Sequence, residues 1–364
     1  RIFNTAFFML LVLGILIGMV TFLFSKQIVL LFGCPPSAVG FATAYLKIYS
    51  CGTLFVMLAQ GLNPFILTQG YSFIAMSAVL IGAVINIVLD PIFIFTLRMG
   101  VRGSGLATIF SQFCSCICII CFFFSKKSLF HFSVKDMQIS FARIANIVSL
   151  GFTPFIMTLT ECAIQIVFNI NLNRATGGNK DYTAALTVML SALQLISLPL
   201  NGMQPFVSYN YGKGNAERLK QGIQYVTVIA FIFAVSIWSV SLAVPQMYAH
   251  IFSSSESVTG IVKHYTPFFL MGSIMFFVQM TLQNINVALG QAKSALLLAV
   301  IRKVIILIPL CFVLTHFLGF KGVYMSEGIA DLVAGIITAI VIFKTFPKIF
   351  REREIEVKEK MQIR

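Results

Sequence analysis

Four carboxylates lie inside long apolar stretches of the sequence, where an ionised side chain is costly and needs a functional or structural reason. They are Asp90, Glu161, Glu327 and Asp331. Glu161 is followed at four-residue intervals by Gln165 and Asn169, which puts a polar stripe on one helix face. A partly desolvated carboxylate binds either a proton or a cationic molecule, because its single negative charge compensates only one of them. That exclusion predicts a coupling site at Glu161; a hydrogen bond that only packs two helices is the alternative.

The other three carboxylates have weaker signals. Glu327 and Asp331 are one helical turn apart on a common face, an arrangement in which two carboxylates tend to share a proton. Coupling and structural roles both stay open for this pair, and we expect Glu327 to be shallow enough to reach water. Asp90 precedes Pro91 near the end of its stretch, and we expect it to satisfy backbone amides or a neighbouring loop.

Uncharged polar residues in the same stretches are candidates for a substrate cavity, with hydrogen bonding between helices as the alternative. They are Gln165, Asn169, Gln194, Asn201, Gln204, Gln279, Gln283 and Asn284. No metal site is predicted, because the four histidines lack ligand spacing and the cysteines in apolar stretches pack well between helices. No nucleophile and base pair stands out and there is no P-loop, so neither an enzyme nor an ATP-driven pump is expected. No cofactor is expected beyond a coupling ion, a proton or sodium.

The composition indicates what positions these residues. Hydrophobic residues make up 58% of the 364 and charged residues only 10%, with a mean hydropathy of +0.93. The apolar blocks match the roughly 20 helical residues that cross ~30 Å of hydrocarbon, so the prediction is an all-α membrane protein in the lipid bilayer. Ten segments are predicted: 3–31, 41–62, 73–97, 103–125, 142–171, 183–208, 221–251, 264–289, 294–318 and 321–346.

The distribution of basic residues predicts the orientation. If the first segment begins in the cytoplasm, 18 of the 26 Lys and Arg residues fall on the cytoplasmic side, Arg302 and Lys303 among them. The positive-inside rule then puts Arg1 and the C-terminus in the cytoplasm. The net charge of +14 belongs to loops and a basic tail at 347–364, so no nucleic acid partner is expected.

The sequence also repeats at a spacing of 219 to 220 residues. Phe32, Tyr45, Gly52, Leu62 and Gly70 recur as Phe252, Tyr265, Gly272, Leu282 and Gly290, and Gly100-Val-Arg-Gly103 recurs as Gly319-Phe-Lys-Gly322. Four spans precede the loop at 126–141 and six follow it, so we expect a truncated chain whose first copy lacks two spans. The predicted organisation is an incomplete N-terminal lobe at 1–125, a cytoplasmic linker at 126–141 and a C-terminal lobe at 142–346. Halves of the same orientation imply parallel repeats, as in secondary transporters.

Several motifs resemble those of multidrug and toxic compound extrusion (MATE) transporters. Gly61-Leu-Asn-Pro-Phe-Ile-Leu-Thr-Gln-Gly70 and Gly82-Ala-Val-Ile-Asn-Ile-Val-Leu-Asp-Pro91 look like the family's fourth and fifth spans. Gly202-Met-Gln-Pro-Phe-Val-Ser-Tyr-Asn-Tyr-Gly212, followed by Gly214-Asn-Ala-Glu-Arg218, resembles the end of the eighth span. The similarity covers essentially residues 1–346, and the sequences of the motifs most resemble those of the bacterial MepA-like branch.

The resemblance implies two six-helix lobes that form a V-shaped cavity, a monomer in the bacterial plasma membrane, and export of cationic drugs or dyes against proton or sodium entry. It implies an acidic residue a few positions beyond a proline in the seventh span, where Glu161 follows Pro154. The sodium-coupled branch tends to carry Asp where Gln279 stands, which favours protons here. A lipid-linked oligosaccharide flippase of the same superfamily is the alternative, expected to have a more cationic cavity than these mainly acidic mid-span charges; a channel or receptor is a further one.

Overall fold

The computed structural model describes residues 1–132, 140–212, 216–252, 255–288, 292–338 and 340, and these residues are overwhelmingly helical. The chain separates into two compact units, Arg1–Gly151 and Phe152–Arg364. The boundary falls inside one long helix, several residues beyond the predicted linker at 126–141. The basic tail at 347–364 lies outside the described residues.

The first unit is a bundle of apolar helices. It contains α1 (Ile2–Leu23), α2 (Ser25–Leu31), α3 (Val39–Cys51), α4 (Thr53–Thr68), α5 (Ser72–Pro91), a π-helical segment (Ile92–Thr96) and α6 (Val101–Phe124). Its core lies where α4 meets α1 and α6, around the buried side chains of Leu62, Ile66 and Ile119. The ring of Phe3 packs against those of Phe123 and Phe130 at the edge of this core.

The second unit begins within α7 and contains the predicted coupling residues. Its helices are α7 (Phe141–Thr176), α8 (Lys180–Gly212), α9 (Ala216–Ala243), α10 (Gln246–Phe252), α11 (Glu256–Phe269), α12 (Ser273–Ala288), α13 (Ala292–Val300), a π-helical segment (Ile301–Leu307), α14 (Ile308–Leu318) and α15 (320–338). The core includes fully buried Phe168, Leu172, Met189, Phe269 and Tyr324. Helix α8 packs on α9, α11 and α12.

Many of these helices carry their apolar residues on the outside, as expected when the surrounding solvent is lipid. On α1, Ile15, Leu16 and Met19 are all exposed, whereas Gly14 and Gly18 face the bundle. Within the described residues six helices are long and apolar enough to cross a membrane, or eight if each of two bent pairs is one span. Helices α8 and α15 occupy the positions of the two other predicted segments. The count of ten and the two missing spans stay predictions.

The sequence repeat has a structural counterpart in both units. Helices α3 and α4 meet at Gly52 with a bend of 59°, and α11 and α12 meet next to Gly272 with a bend of 64°. Gly100 and Gly319, which precede α6 and α15, have φ angles of 55° and 61°, a left-handed conformation that favours glycine. The predicted segments 41–62 and 264–289 are therefore broken helices rather than continuous ones.

Candidate coupling site

The π-helical segment Ile301–Leu307 interrupts the helix that carries the basic pair Arg302–Lys303. Pro309 has no N–H to give to the carbonyl of Ile305, so the α-helical hydrogen-bond pattern cannot continue through this turn. The N–H of Ile308 donates instead to the carbonyl of Lys303, five residues earlier. Both basic side chains of the segment are buried.

Arg302 binds the two carboxylates of α15. Its Nε atom lies 2.8 Å from Oδ1 of Asp331, and its Nη2 atom lies 2.6 Å from Oε1 of Glu327 and 2.6 Å from Oδ1 of Asp331. The guanidinium also lies over the ring of Phe276 on α12, with its carbon 4.6 Å from the ring centre. Since the planar guanidinium reaches both carboxylates at once, it holds the two negative charges of α15 in fixed positions.

Lys303 extends the cluster to α7. Its buried ammonium group donates to Oε1 of Glu161, whose side chain is 52% exposed, whereas that of Lys303 is only 3% exposed. Gln165, one turn further along α7, is exposed as well. This face of α7 is therefore open to the outside of the unit, and the charge of Glu161 is compensated by Lys303.

Together these five residues form a cluster with unequal numbers of charges. Glu161, Glu327 and Asp331 carry three negative charges when ionised, and Arg302 and Lys303 carry two positive ones, which leaves one negative charge. Oε2 of Glu327 and Oδ2 of Asp331 accept no hydrogen bond from the described residues. In a low-dielectric surrounding, one bound proton or monovalent cation neutralises the excess.

The sequence of this chain matches a known family over most of its length. The MatE family model matches residues 1–92 and 154–313, which include Glu161 and the pair Arg302–Lys303. The chain belongs to the MATE family. One MATE relative, the "Multidrug export protein MepA" of Staphylococcus haemolyticus (strain JCSC1435), is 31% identical over 342 residues, which are 92% of this chain and 74% of the relative. The protein of the same name from Staphylococcus aureus (strain NCTC 8325) is 25% identical over 338 residues, 91% of this chain and 73% of that one.

Solved MATE structures share the fold. The structure described as the inward-facing conformation of a multidrug resistance MATE family transporter of the MOP superfamily superposes with a TM-score of 0.79, at 22% identity, over 97% of this chain and 80% of that one. The outward-facing conformation gives a TM-score of 0.78 at 22% identity, over 98% of this chain and 79% of that one. The predicted all-α membrane fold of the MATE type is confirmed.

The structure brings the three predicted coupling carboxylates of this MATE protein into one cluster, but the expected positions of two basic residues and the expected exposure of Glu327 were wrong. Arg302 and Lys303 lie buried in the second unit and not in a cytoplasmic connection, because their charges are paired with carboxylates of α7 and α15. Without these two residues, the number of Lys and Arg residues predicted on the cytoplasmic side falls from 18 to 16, while the opposite side still has 8. The positive-inside rule therefore predicts the same orientation. The two cations join the mid-span charges, and within the cluster the carboxylates still outnumber them, three to two.

The depths of the carboxylates also differ from the expectation. Glu161 is the exposed carboxylate of the cluster, while Glu327, expected to reach water, is buried with Asp331 beneath Arg302. Depth along a helix does not determine exposure, since the packing of neighbouring helices decides it. The missed signal was a basic pair inside the apolar segment Ser294–Leu318, which has the same cost in hydrocarbon as a carboxylate.

The predicted cavity residues are spread over several environments. Gln279 and Gln283 are buried on α12, where Nε2 of Gln279 lies 3.4 Å from the carbonyl oxygen of Leu298, one turn before Arg302. Gln165 and Gln194 are exposed, and Asn169 and Asn284 are half-buried. Asn201 and Gln204 belong to α8, but their side chains lie outside the described residues. A cavity role for these side chains stays a prediction.

Proposed function

We propose that this MATE-family chain is a secondary active multidrug efflux transporter that exports organic cations by alternating access, coupled to inward proton movement. The relatives are named multidrug export proteins, and related MATE transporters have been solved in inward-facing and outward-facing conformations. We further propose a monomer in the bacterial plasma membrane with a cytoplasmic C-terminus, acting on small-molecule drugs or dyes.

The observation that carries this proposal is the excess negative charge of the cluster, together with the exposure of one of its carboxylates. Glu161 is the member that water or a cargo molecule can reach, while Glu327 and Asp331 are enclosed under Arg302. A proton that enters at Glu161 removes the excess charge, and a cationic cargo at the same carboxylate does the same. Because the cluster accommodates one of them at low cost, arrival of one favours release of the other.

Protons fit this cluster better than sodium. A sodium ion requires several oxygen ligands converging on one point, and one oxygen of each carboxylate already accepts a hydrogen bond from Arg302 or Lys303, which leaves only Oε2 of Glu327 and Oδ2 of Asp331 unpaired on the enclosed carboxylates. A proton needs a single oxygen lone pair. In addition, Gln279 supplies a neutral amide on α12 and adds no negative charge that would attract a metal ion.

The flippase alternative receives little support from the buried cations. A pyrophosphate-linked substrate would need positive charges that are free to bind phosphate. Both Arg302 and Lys303 are bound to carboxylates, and the cluster as a whole remains negative.

A channel or receptor differs from a transporter in moving no cargo against its gradient, which the following assay tests directly.

The test is ethidium efflux from cells that express the full chain, normalised to its abundance in the membrane. We expect Glu161→Gln to reduce coupled efflux by at least roughly tenfold, equivalent to ~1.4 kcal/mol of coupling free energy. Asp90→Asn, a half-buried carboxylate of the first unit, is the matched control and should retain efflux. A protonophore should abolish efflux and removal of external sodium should not. Wild-type efflux in Glu161→Gln would contradict the assignment.

A further inference from the structure

The two salt-bridged parts of the cluster differ in how firmly they are held. Arg302 contacts two enclosed carboxylates and an aromatic ring, so every charged group in that part is surrounded by protein. Lys303 has a single ionic partner within the described part of the chain, Glu161, and that partner opens to the outside of the unit. A ligand that arrives at the exposed oxygen of Glu161 therefore meets a carboxylate already occupied by an amine.

The amine of Lys303 is a covalently attached counterpart of a cationic cargo. An ammonium group on a flexible four-carbon stem behaves as a compact point charge, and its three hydrogen atoms can change partners by rotation alone. Lys303 already donates to Oε1 of Glu161, so an incoming cation must share the single negative charge of this carboxylate with the ammonium group. Two cations on one carboxylate repel each other, so the second binds more weakly than it would to a free carboxylate.

We propose that Lys303 is a tethered competitor, which occupies Glu161 between transport cycles and weakens the binding of monocationic cargo at that site. The inference rests on the proposed function and assigns a specificity-determining role to a residue of the same cluster. Lys303 keeps Glu161 neutralised while no cargo is bound, and its return to the carboxylate helps to release bound cargo. Cargo without a positive charge does not compete for Glu161, so its binding is indifferent to Lys303.

Equilibrium binding of tetraphenylphosphonium to the purified full chain in lipid nanodiscs tests the proposal. Lys303→Met keeps the length of the stem and removes the charge, and we expect it to lower the dissociation constant by roughly tenfold. Lys303→Arg retains a cation beside Glu161 and should stay within about threefold of the wild type. A dissociation constant in Lys303→Met that is unchanged or higher than in the wild type overturns the proposal.

A double-mutant cycle separates competition at Glu161 from a general effect of charge. If Lys303 acts through Glu161, Lys303→Met should tighten binding in the wild type and have no effect in Glu161→Gln. Equal tightening in both backgrounds would overturn competition for this carboxylate. Thermal unfolding of each variant in the same nanodiscs shows whether the protein is folded, and Lys303→Arg supplies a folded comparison that keeps the charge.

The cycle also distinguishes failure of this inference from failure of the proposed function. If Glu161→Gln abolishes tetraphenylphosphonium binding while Lys303→Met leaves it unchanged, Glu161 is the cation site but Lys303 does not compete there. If Glu161→Gln binds and exports as the wild type does, the proposed function is wrong at its central residue, and competition at Glu161 falls with it.

Discussion

Lys303 and Glu161 form an ion pair in which the cation is buried and the carboxylate is half-exposed. The free-energy consequences of losing either partner are therefore unequal. Glu161 can be solvated if the lysine is removed, whereas loss of the carboxylate leaves the ammonium group of Lys303 unpaired in an enclosed site. This asymmetry means that a loss of transport in a Glu161 variant has two possible causes, loss of coupling and loss of stability, which must be measured separately.

Glu161→Gln should destabilise the protein by about 1–3 kcal/mol, below the 3–5 typical of a fully enclosed pair because the amide still offers an oxygen to Lys303. Lys303→Met should cost less, since no buried charge is left unpaired. The double variant Glu161→Gln/Lys303→Met should recover most of the thermal stability while still failing to couple efflux. Midpoints of thermal unfolding in detergent, together with ethidium efflux, check this; a double variant less stable than Glu161→Gln alone would contradict the asymmetry.

Arg302→Met should be the most damaging substitution in the cluster. It leaves Glu327 and Asp331 without their cation in an enclosed site, and removal of one partner of such a group costs about 3–5 kcal/mol. Arg302→Lys keeps the charge but lacks the fork that reaches both carboxylates, so it should recover only part of the loss. Membrane abundance and thermal unfolding provide the measurement.

The control for Arg302 removes all three charges together. Arg302→Met/Glu327→Gln/Asp331→Asn leaves no unpaired charge and should be more stable than Arg302→Met alone. If it also retains efflux, the Arg302-centred part of the cluster only holds the helices together, and Glu161 alone exchanges the proton.

Gly272→Ala should destabilise the break between α11 and α12 by about 1–3 kcal/mol. A Cβ atom there would lie 2.2 Å from the carbonyl oxygen of Gly328 and 2.6 Å from Cβ of Asp331, and backbone cannot rotate away as a side chain can. Gly260→Ala in α11 is the control, because no atom of the described residues lies within 4 Å of the added atom and alanine favours helix. The midpoint temperature of thermal unfolding should therefore fall for Gly272→Ala and stay the same or rise for Gly260→Ala.

The equivalent break in the first unit gives an internal comparison. At Gly52 the nearest atom to an added Cβ is Cγ1 of Ile109, 2.5 Å away, which belongs to a side chain that can shift. Gly52→Ala should therefore cost less than Gly272→Ala. An equal loss of thermal stability at the two positions would mean that the bends, and not the contacts beside them, determine the cost.

The orientation prediction survives the correction of two basic residues and is tested by a fusion after Arg364. Green fluorescent protein attached there should fluoresce, since it folds in the cytoplasm, and alkaline phosphatase at the same position should be inactive. The reverse pattern would invert the predicted topology.

The sequence predicted the carboxylates of the site better than their partners. Glu161, Glu327 and Asp331 stood out because ionisable residues are rare in apolar segments, a signal that needs no tertiary information. Arg302 and Lys303 satisfied the same criterion but were assigned to a cytoplasmic connection, as basic residues near span ends usually are. Which cation faces which carboxylate depends on helices separated by as many as 142 residues, and no local pattern contains that pairing.

Helix positions were predicted more closely than helix shapes. The prediction of 73–97 agrees with the span Ser72–Thr96, because hydropathy measures immersion in lipid directly. The segment predicted at 264–289 begins earlier, at Glu256, because α11 carries polar residues that lower its hydropathy while tertiary packing keeps it helical. It also bends near Gly272, which the hydropathy does not indicate. A glycine in an apolar stretch does not reveal whether the helix bends there or only packs closely.

The π-helical turn also determines which side of its helix stays inside the protein over about four turns. Ala295, Ala299, Lys303, Leu307 and Cys311 are all buried and recur every four residues. In a straight α-helix such a row advances by about 40° per step and moves away from the core after a few steps. The wider turn at Ile301–Leu307 sets the rotation back, which keeps the row in phase with the core on both sides of Lys303. Loss of one residue from this turn would rotate Cys311 and the rest of α14 out of alignment with Lys303. The number of residues in the π-helical segment is therefore constrained as strictly as their types.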